Sequence, residues 1–223
     1  MRSGLVVLAG VLALTAGCGD AAKDSPPTGV DGLQIPTPSP DPDDFVADVD
    51  NPWLALEPGA TWRYTVTGAG RITAARISVS DGPEHDGIRT TDLARTTLDD
   101  KDRQVDRVVD HLAQDRDGNV WWLGRGSEWF DAAGLYLPAE PRVGDGYLMA
   151  DLPDGEVHAM VRSVDASASV PAGDYETLDI DVVGAQAADL LVSFAKGTGL
   201  VATATADGSV EWGLVAVDEP PSS

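Results

Sequence analysis

Cysteine is almost absent: Cys18 is the single one in 223 residues. No disulfide can form within the chain, and no second thiol remains for a metal cage or a nucleophile. Basic residues are scarce too. Fifteen Lys and Arg stand against 37 Asp and Glu, for a formal net charge of −22. Phosphate backbones and anionic headgroups repel such a surface, which excludes nucleic acid as a partner and electrostatic docking onto a membrane. The three histidines, His85, His111 and His158, are too dispersed for zinc-ligand spacing. They are expected on the surface or on strand faces. No Gly-x-Ser-x-Gly elbow and no phosphate-binding glycine loop occurs. No cofactor and no metal is expected. Long apolar runs are missing as well: the one continuous stretch, Gly4 to Ala16, falls short of the roughly 20 residues that cross a bilayer.

That stretch has a different layout. Arg2 precedes it, Leu5 to Leu14 fill it, and Thr15-Ala16-Gly17 lead into Cys18. A charged start, a short apolar region and small residues at a cleavage point make a secretory signal. The Ala16-Gly17-Cys18 order, with Leu14 upstream, resembles the lipobox of bacterial lipoproteins. Thr15 stands where that family usually has Leu. The resemblance implies cleavage between Gly17 and Cys18 and diacylglycerol on the Cys18 thiol, with the mature chain outside the cytoplasm on the cell membrane. More than one acyl chain is required, because a single myristoyl-sized chain binds membranes only marginally. With Met1–Gly17 removed, Arg2 goes too and the charge becomes −23, so the lipid alone would hold the protein at the membrane.

Residues 18–48 read as a tether. Ser25-Pro26-Pro27 and the alternating prolines of Pro36–Pro42 are set among small and acidic residues. These bury too little apolar surface to offset ordering entropy. A disordered segment with a stiffer polyproline section follows from this. Residues 49–218 are long enough for one domain, and 219–223 form a frayed tail.

Within the domain the apolar period is two. Trp62, Tyr64 and Val66 alternate with Arg63, Thr65 and Thr67; Leu178, Ile180 and Val182 alternate with Asp179 and Asp181. Asp-Gly dipeptides at 81–82, 86–87, 117–118, 154–155 and 207–208 punctuate the pattern. Strands are predicted at Thr61–Thr67, Arg71–Ser80, Ile88–Leu98, Arg103–Gln114, Asn119–Gly124 and Tyr147–Ala150. Further strands are predicted at Glu156–Val164, Tyr175–Val183, Leu190–Ala195, Gly199–Ala206 and Ser209–Val217. At most one helical turn is expected, near Gly184–Ala188. The fold class is all-β: an antiparallel meander curled into a barrel or half-barrel.

Four pieces of the domain, taken in order, resemble a family of uncharacterised secreted bacterial proteins. They are Asn51-Pro52-Trp53-Leu54 continuing to Pro58-Gly59-Ala60-Thr61-Trp62; Gln114 to Gly124; Val170 to Leu178; and Lys196-Gly197-Thr198-Gly199-Leu200-Val201. The resemblance implies a fold and a location and no chemistry.

Chemical constellations are few. Asp115, Asp117 and Asn119 have the spacing of the first three ligands of a calcium loop. Val120 then replaces the needed Gly, and Gly126 stands where Glu belongs, so a plain hairpin turn is expected. Asp179 and Asp181 share a strand face, which suits paired carboxylates or a plain solvated face. Trp53, Trp62, Trp121, Trp122, Trp129 and Trp212 suit core packing or the lining of an apolar pocket. Two function classes follow. One is a membrane-anchored, non-catalytic β domain, a monomer with room for an apolar or lipid ligand. The other is a cell-envelope hydrolase using paired carboxylates.

Overall fold

Alternating apolar and polar residues make half-buried strands, and here the strands follow one another as hairpins round a nearly closed barrel. A computed structural model describes residues 34–35, 40–184, 188–218 and 220. Two residues, Gln34–Ile35, form β1, and Pro42–Asp44 form a 3-10 turn. A small ribbon follows, β2 (Val49–Asn51) and β3 (Leu54–Leu56). The first meander comprises β4 (Thr61–Thr67), β5 (Ile72–Asp81), β6 (Thr91–Asp99), β7 (Gln104–Gln114), β8 (Val120–Arg125) and β9 (Glu128–Leu137). The second comprises β10 (Gly146–Leu152), β11 (Gly155–Val170), β12 (Gly173–Gly184), β13 (Leu190–Ala195), β14 (Gly199–Thr205) and β15 (Glu211–Asp218).

The two meanders form one antiparallel sheet because β15 pairs with β4, placing Leu214 beside Tyr64 and Val217 beside Trp62. The free edges, β9 and β10, meet at a tight seam. A Cβ added to Gly134 on β9 would lie 1.9 Å from the Met149 carbonyl oxygen on β10. At the start of β10, β1 adds in parallel, Gln34 beside Gly146 and Ile35 beside Tyr147. Leu112, Val120, Leu137, Leu178, Ile180, Val201 and Leu214 are fully buried.

The barrel class and the eleven predicted strands correspond to the structure, with two at identical limits, Thr61–Thr67 and Leu190–Ala195. Four strands lie outside the prediction: β1, β2, β3 and β9. The last of these, Glu128–Leu137, carries Asp131-Ala132-Ala133-Gly134 in its middle and lacks branched alternation. Its glycine is there because β10 passes too close for a side chain. Asp81-Gly82 is no turn. The Gly82 N–H donates to the Thr90 carbonyl at 2.8 Å, and the reversal falls at Asp86-Gly87, where both residues have positive φ (48° and 82°), as a type I′ turn requires. Residues 185–187 of the predicted helical turn lie outside the described residues. Residues 41–48, read as the end of the tether, are held on the domain. The Val46 N–H donates to the Gln114 carbonyl, Phe45 bridges to Asp115, and Arg116 pairs with Asp44 at 3.2 Å.

Candidate functional site

A ligand site inside the barrel would need empty space, and the β2–β3 ribbon occupies that space. Leu54 and Leu56 point inward beside Trp62, Tyr64, Leu93 and Phe194, and the void they leave is about 20 Å³, room for a single water. Polar side chains lock the ribbon in place. Gln114 is buried, and its Oε1 accepts from the N–H groups of Asp50 (3.0 Å) and Asn51 (2.8 Å). Asn51 is 1% exposed; its Nδ2 donates to the Gly118 carbonyl at 2.9 Å, while its Oδ1 accepts from the Trp53 N–H at 2.9 Å. On the other side, the Gly197 N–H donates to the Pro52 carbonyl at 2.8 Å, and the Lys196 ammonium sits 4.7 Å above the Trp53 ring. Trp62 Nε1 donates to the Thr198 carbonyl at 2.6 Å, and Tyr64 OH to that of Leu200 at 2.8 Å. Three of the four family-like pieces therefore meet at one place and close one end of the barrel.

The remaining tryptophans also serve packing. Trp121 Nε1 donates to Asp115 at 2.8 Å and Trp122 Nε1 to the Gly124 carbonyl at 2.9 Å. Trp122 meets Tyr136 edge-on at 5.7 Å and lies under the Arg125 guanidinium at 4.4 Å. Arg125 in turn pairs with the buried Asp110 at 2.7 Å. Burial, helped by the Asp110 charge, pushes the Tyr136 phenol up to about 12. Burial also raises the phenols of Tyr64 and Tyr147.

The Asp115 loop is built as a turn. Asp115 Oδ1 accepts from the N–H groups of Asp117 and Asn119, and its Oδ2 accepts from Asn119 Nδ2 and Trp121 Nε1. Asn119 Oδ1 is taken by the Ala139 N–H. Of the three candidate calcium ligands, Asp115 and Asn119 have their side-chain oxygens engaged with donors. Among the described residues no group of three or more acidic, His or Cys side chains is placed to hold a metal.

The histidines occupy strand faces and one loop. His111 is 5% exposed; Nδ1 lies 2.6 Å from Asp92 and Nε2 2.8 Å from the Gly126 carbonyl. Trp129 is stacked between His111 and His85, at centroid distances of 4.6 and 4.0 Å. This trio was not legible as a unit, because β9 itself was not. His158 pairs with Glu156 on the surface at 2.9 Å.

Asp179 and Asp181 do share the outer face of β12, with the fully buried Ile180 between them, but they have different surroundings. Asp181 is tied to Arg162 at 2.6 Å. Among the described residues Asp179 accepts only from the Thr177 hydroxyl, at 2.9 Å, and it opens into a groove of about 370 Å³. Strand registers build the groove floor. Asp179, Ser193, Ala202, Gly213 and Thr65 stand side by side across β12, β13, β14, β15 and β4. The neighbouring row is Asp181, Leu191, Ala204, Glu211 and Thr67. The wall is the outer part of the β11–β12 hairpin. Its ladder shifts register between Val161 and Ala166, and the hairpin bends across the sheet until the Ala172 N–H donates to the Leu214 carbonyl at 2.9 Å. Gly213 admits this arm: a Cβ there would lie 3.2 Å from Pro171 Cδ.

Gly17 and Cys18 lie outside the described residues. No protein-family model matches the chain, and no curated protein matches it. Two solved structures show a loose likeness. A protein of Bacteroides fragilis NCTC 9343, named as exported and as having a YmcC-like fold, is 11% identical over 75% of this chain and 99% of its own, with a TM-score of 0.44. A protein of Parabacteroides distasonis ATCC 8503, named as a lipoprotein, is 9% identical over 74% of this chain and 98% of its own, with a TM-score of 0.45. At this level neither likeness bears on what the chain does.

Proposed function

We propose that this chain is an extracytoplasmic lipoprotein, anchored through acyl chains on Cys18, whose β domain is a non-catalytic binding module. The observation that carries the anchoring is the placement of the only cysteine directly after Arg2, the apolar run and Ala16-Gly17. The strongly acidic surface supports it, since such a surface gains nothing from anionic headgroups. The binding-module reading rests on the outer groove. An acyl chain has no room in the void beside the ribbon, so a ligand is taken on the outer face. The hydrolase reading loses its pair, because Arg162 holds Asp181 while Asp179 faces the groove.

The test is the full-length chain expressed in a bacterial host with labelled palmitate, beside its Cys18→Ala variant. The parent is expected in the membrane fraction carrying label, and the variant in the soluble extracytoplasmic fraction without it. Equal labelling and equal membrane association of the two would overturn the anchoring.

A further inference from the structure

We propose that the groove between the β11–β12 arm and the outer sheet face is a binding site for an elongated oligoamine, a ligand with two or more ammonium groups joined by short alkyl spacers. The inference deepens the binding-module reading and rests on it, not on the anchor.

Charge is the first argument. No Lys, Arg or His lines the groove among the described residues, whereas Asp179 and Glu211 do. Neither carboxylate has a basic partner among the described residues; Asp179 has a neutral hydroxyl and Glu211 no side-chain partner. On the same face, by contrast, Asp181 is neutralised by Arg162. An anion is therefore repelled, and the net charge of −22 draws cations in from a distance.

Shape is the second. Asp179 and Glu211 stand on strands three positions apart, and neighbouring strands are about 4.8 Å apart, so their backbones are separated by about 15 Å along the groove. The floor between them is Ser193, Leu191, Ala202, Ala204 and Gly213, mostly low and apolar, which suits a thin chain. A chain with cationic ends and a methylene middle matches acidic ends and an alanine floor.

The third is a nearly buried hydroxyl left to solvent. Ser193 is only 6% exposed, lines the groove, and its hydroxyl has no partner among the described residues. It stands between the carboxylates, where an inner amine would donate to it in place of water. A neutral sugar would also use hydroxyls, but it would want an aromatic platform. Trp212, at the groove's border, turns its ring to Tyr64 on the inner face, 5.9 Å between centroids.

The probe is spermine, titrated calorimetrically into the full-length chain in detergent. One saturable site is expected. Asp179→Asn and Glu211→Gln, each conservative and on the outer face, should weaken it by about tenfold, the scale of one charge-assisted hydrogen bond. Asp154→Asn, in the exposed β10–β11 turn, should leave it unchanged. Four results would overturn the proposal: no saturable binding up to roughly 1 mM; equal weakening by Asp154→Asn, which marks a diffuse polyanion effect; calcium chloride occupying the groove in preference to spermine; or cellohexaose binding that ignores both carboxylate variants. Anchoring does not enter this measurement, so Cys18→Ala and the groove variants succeed or fail separately, and each groove variant's urea transition verifies its folding.

Discussion

Replacing Asn51 by alanine tests whether the β2–β3 ribbon holds the barrel closed. The side chain makes one strong donation to the Gly118 carbonyl at 2.9 Å, a weaker one to Pro138 at 3.4 Å, and accepts the Trp53 N–H at 2.9 Å. At 1% exposure, no water replaces these partners. Truncation leaves the Trp53 N–H buried and unpaired and takes a hydrogen bond from the half-buried Gly118 carbonyl. The unpaired N–H costs about 1–3 kcal/mol and the lost hydrogen bond about 0.5–1.5 kcal/mol, so the loss is about 1.5–4.5 kcal/mol. A domain of this size has about 5–15 kcal/mol in total, and the loss corresponds to roughly 3–18 °C in melting temperature. Asn51→Asp separates hydrogen bonding from shape: it keeps the acceptor for Trp53 but sets a carboxylate against two carbonyls. It should cost at least as much as alanine. The assay is urea unfolding followed by tryptophan fluorescence, with free energies from linear extrapolation. If both variants stay within about 0.5 kcal/mol of the parent, the range of an inert surface change, the ribbon does not close the barrel.

Two further expectations concern the seam and the acid limb. Gly134→Val should lower the urea midpoint sharply, by about 3 kcal/mol or more in stability, because its Cβ meets β10 backbone atoms that cannot turn away; an unchanged midpoint would show that β9 and β10 do not approach as described. The Arg103 guanidinium, followed by Arg103's own N–H, holds the Asp99 carboxyl at about 2, below its ordinary 3.8. Its folded value is depressed, so the stability it contributes is complete above the unfolded value near pH 4 and is lost as pH falls through about 2. The stability gap between the parent and Asp99→Asn should therefore shrink steadily over that window; a gap that does not change with pH would refute the assignment.

Where one sheet face is wet and the other dry, the alternation writes the strand into the sequence. Trp62-Arg63-Tyr64-Thr65-Val66 and Leu178-Asp179-Ile180-Asp181-Val182 are such cases, and β4 and β12 follow them. Contact with a neighbouring backbone erases that signal. In β9, Gly134 answers to Met149 on β10, a neighbour that periodicity along the chain does not reveal, so a run of Asp, Ala and Gly hid a strand. In β11, predicted to stop at Val164, the chain continues to Val170 through Asp165-Ala166-Ser167-Ala168-Ser169. This half of the strand lies over another part of the same sheet, and small residues are what allow it to do so.

The same reasoning explains why the candidate site was less legible than the fold. The pieces that stand out, Asn51-Pro52-Trp53, Gln114 to Gly124 and Lys196 to Leu200, converge on the β2–β3 ribbon and are consumed by closing the barrel. Their distinctiveness reflects buried hydrogen bonds, which restrict residue identity more strongly than solvent does. The groove is made of Ser193, Ala202, Gly213, Thr65 and Glu211, each ordinary in a strand and separated from the others by up to 148 positions. Only register brings them into rows, and register comes from hairpin lengths and bulges that composition does not display. Asp179 is the exception: its alternation with Asp181 marked it early as a possible half of a pair. The pairing failed because Arg162, at the arm's first register shift between Val161 and Ser163, claims Asp181 and leaves Asp179 facing Glu211 across the alanine floor. In this chain, then, the conspicuous residues hold the fold shut, and the proposed recognition in the groove depends on which carboxylates the arginines leave uncompensated.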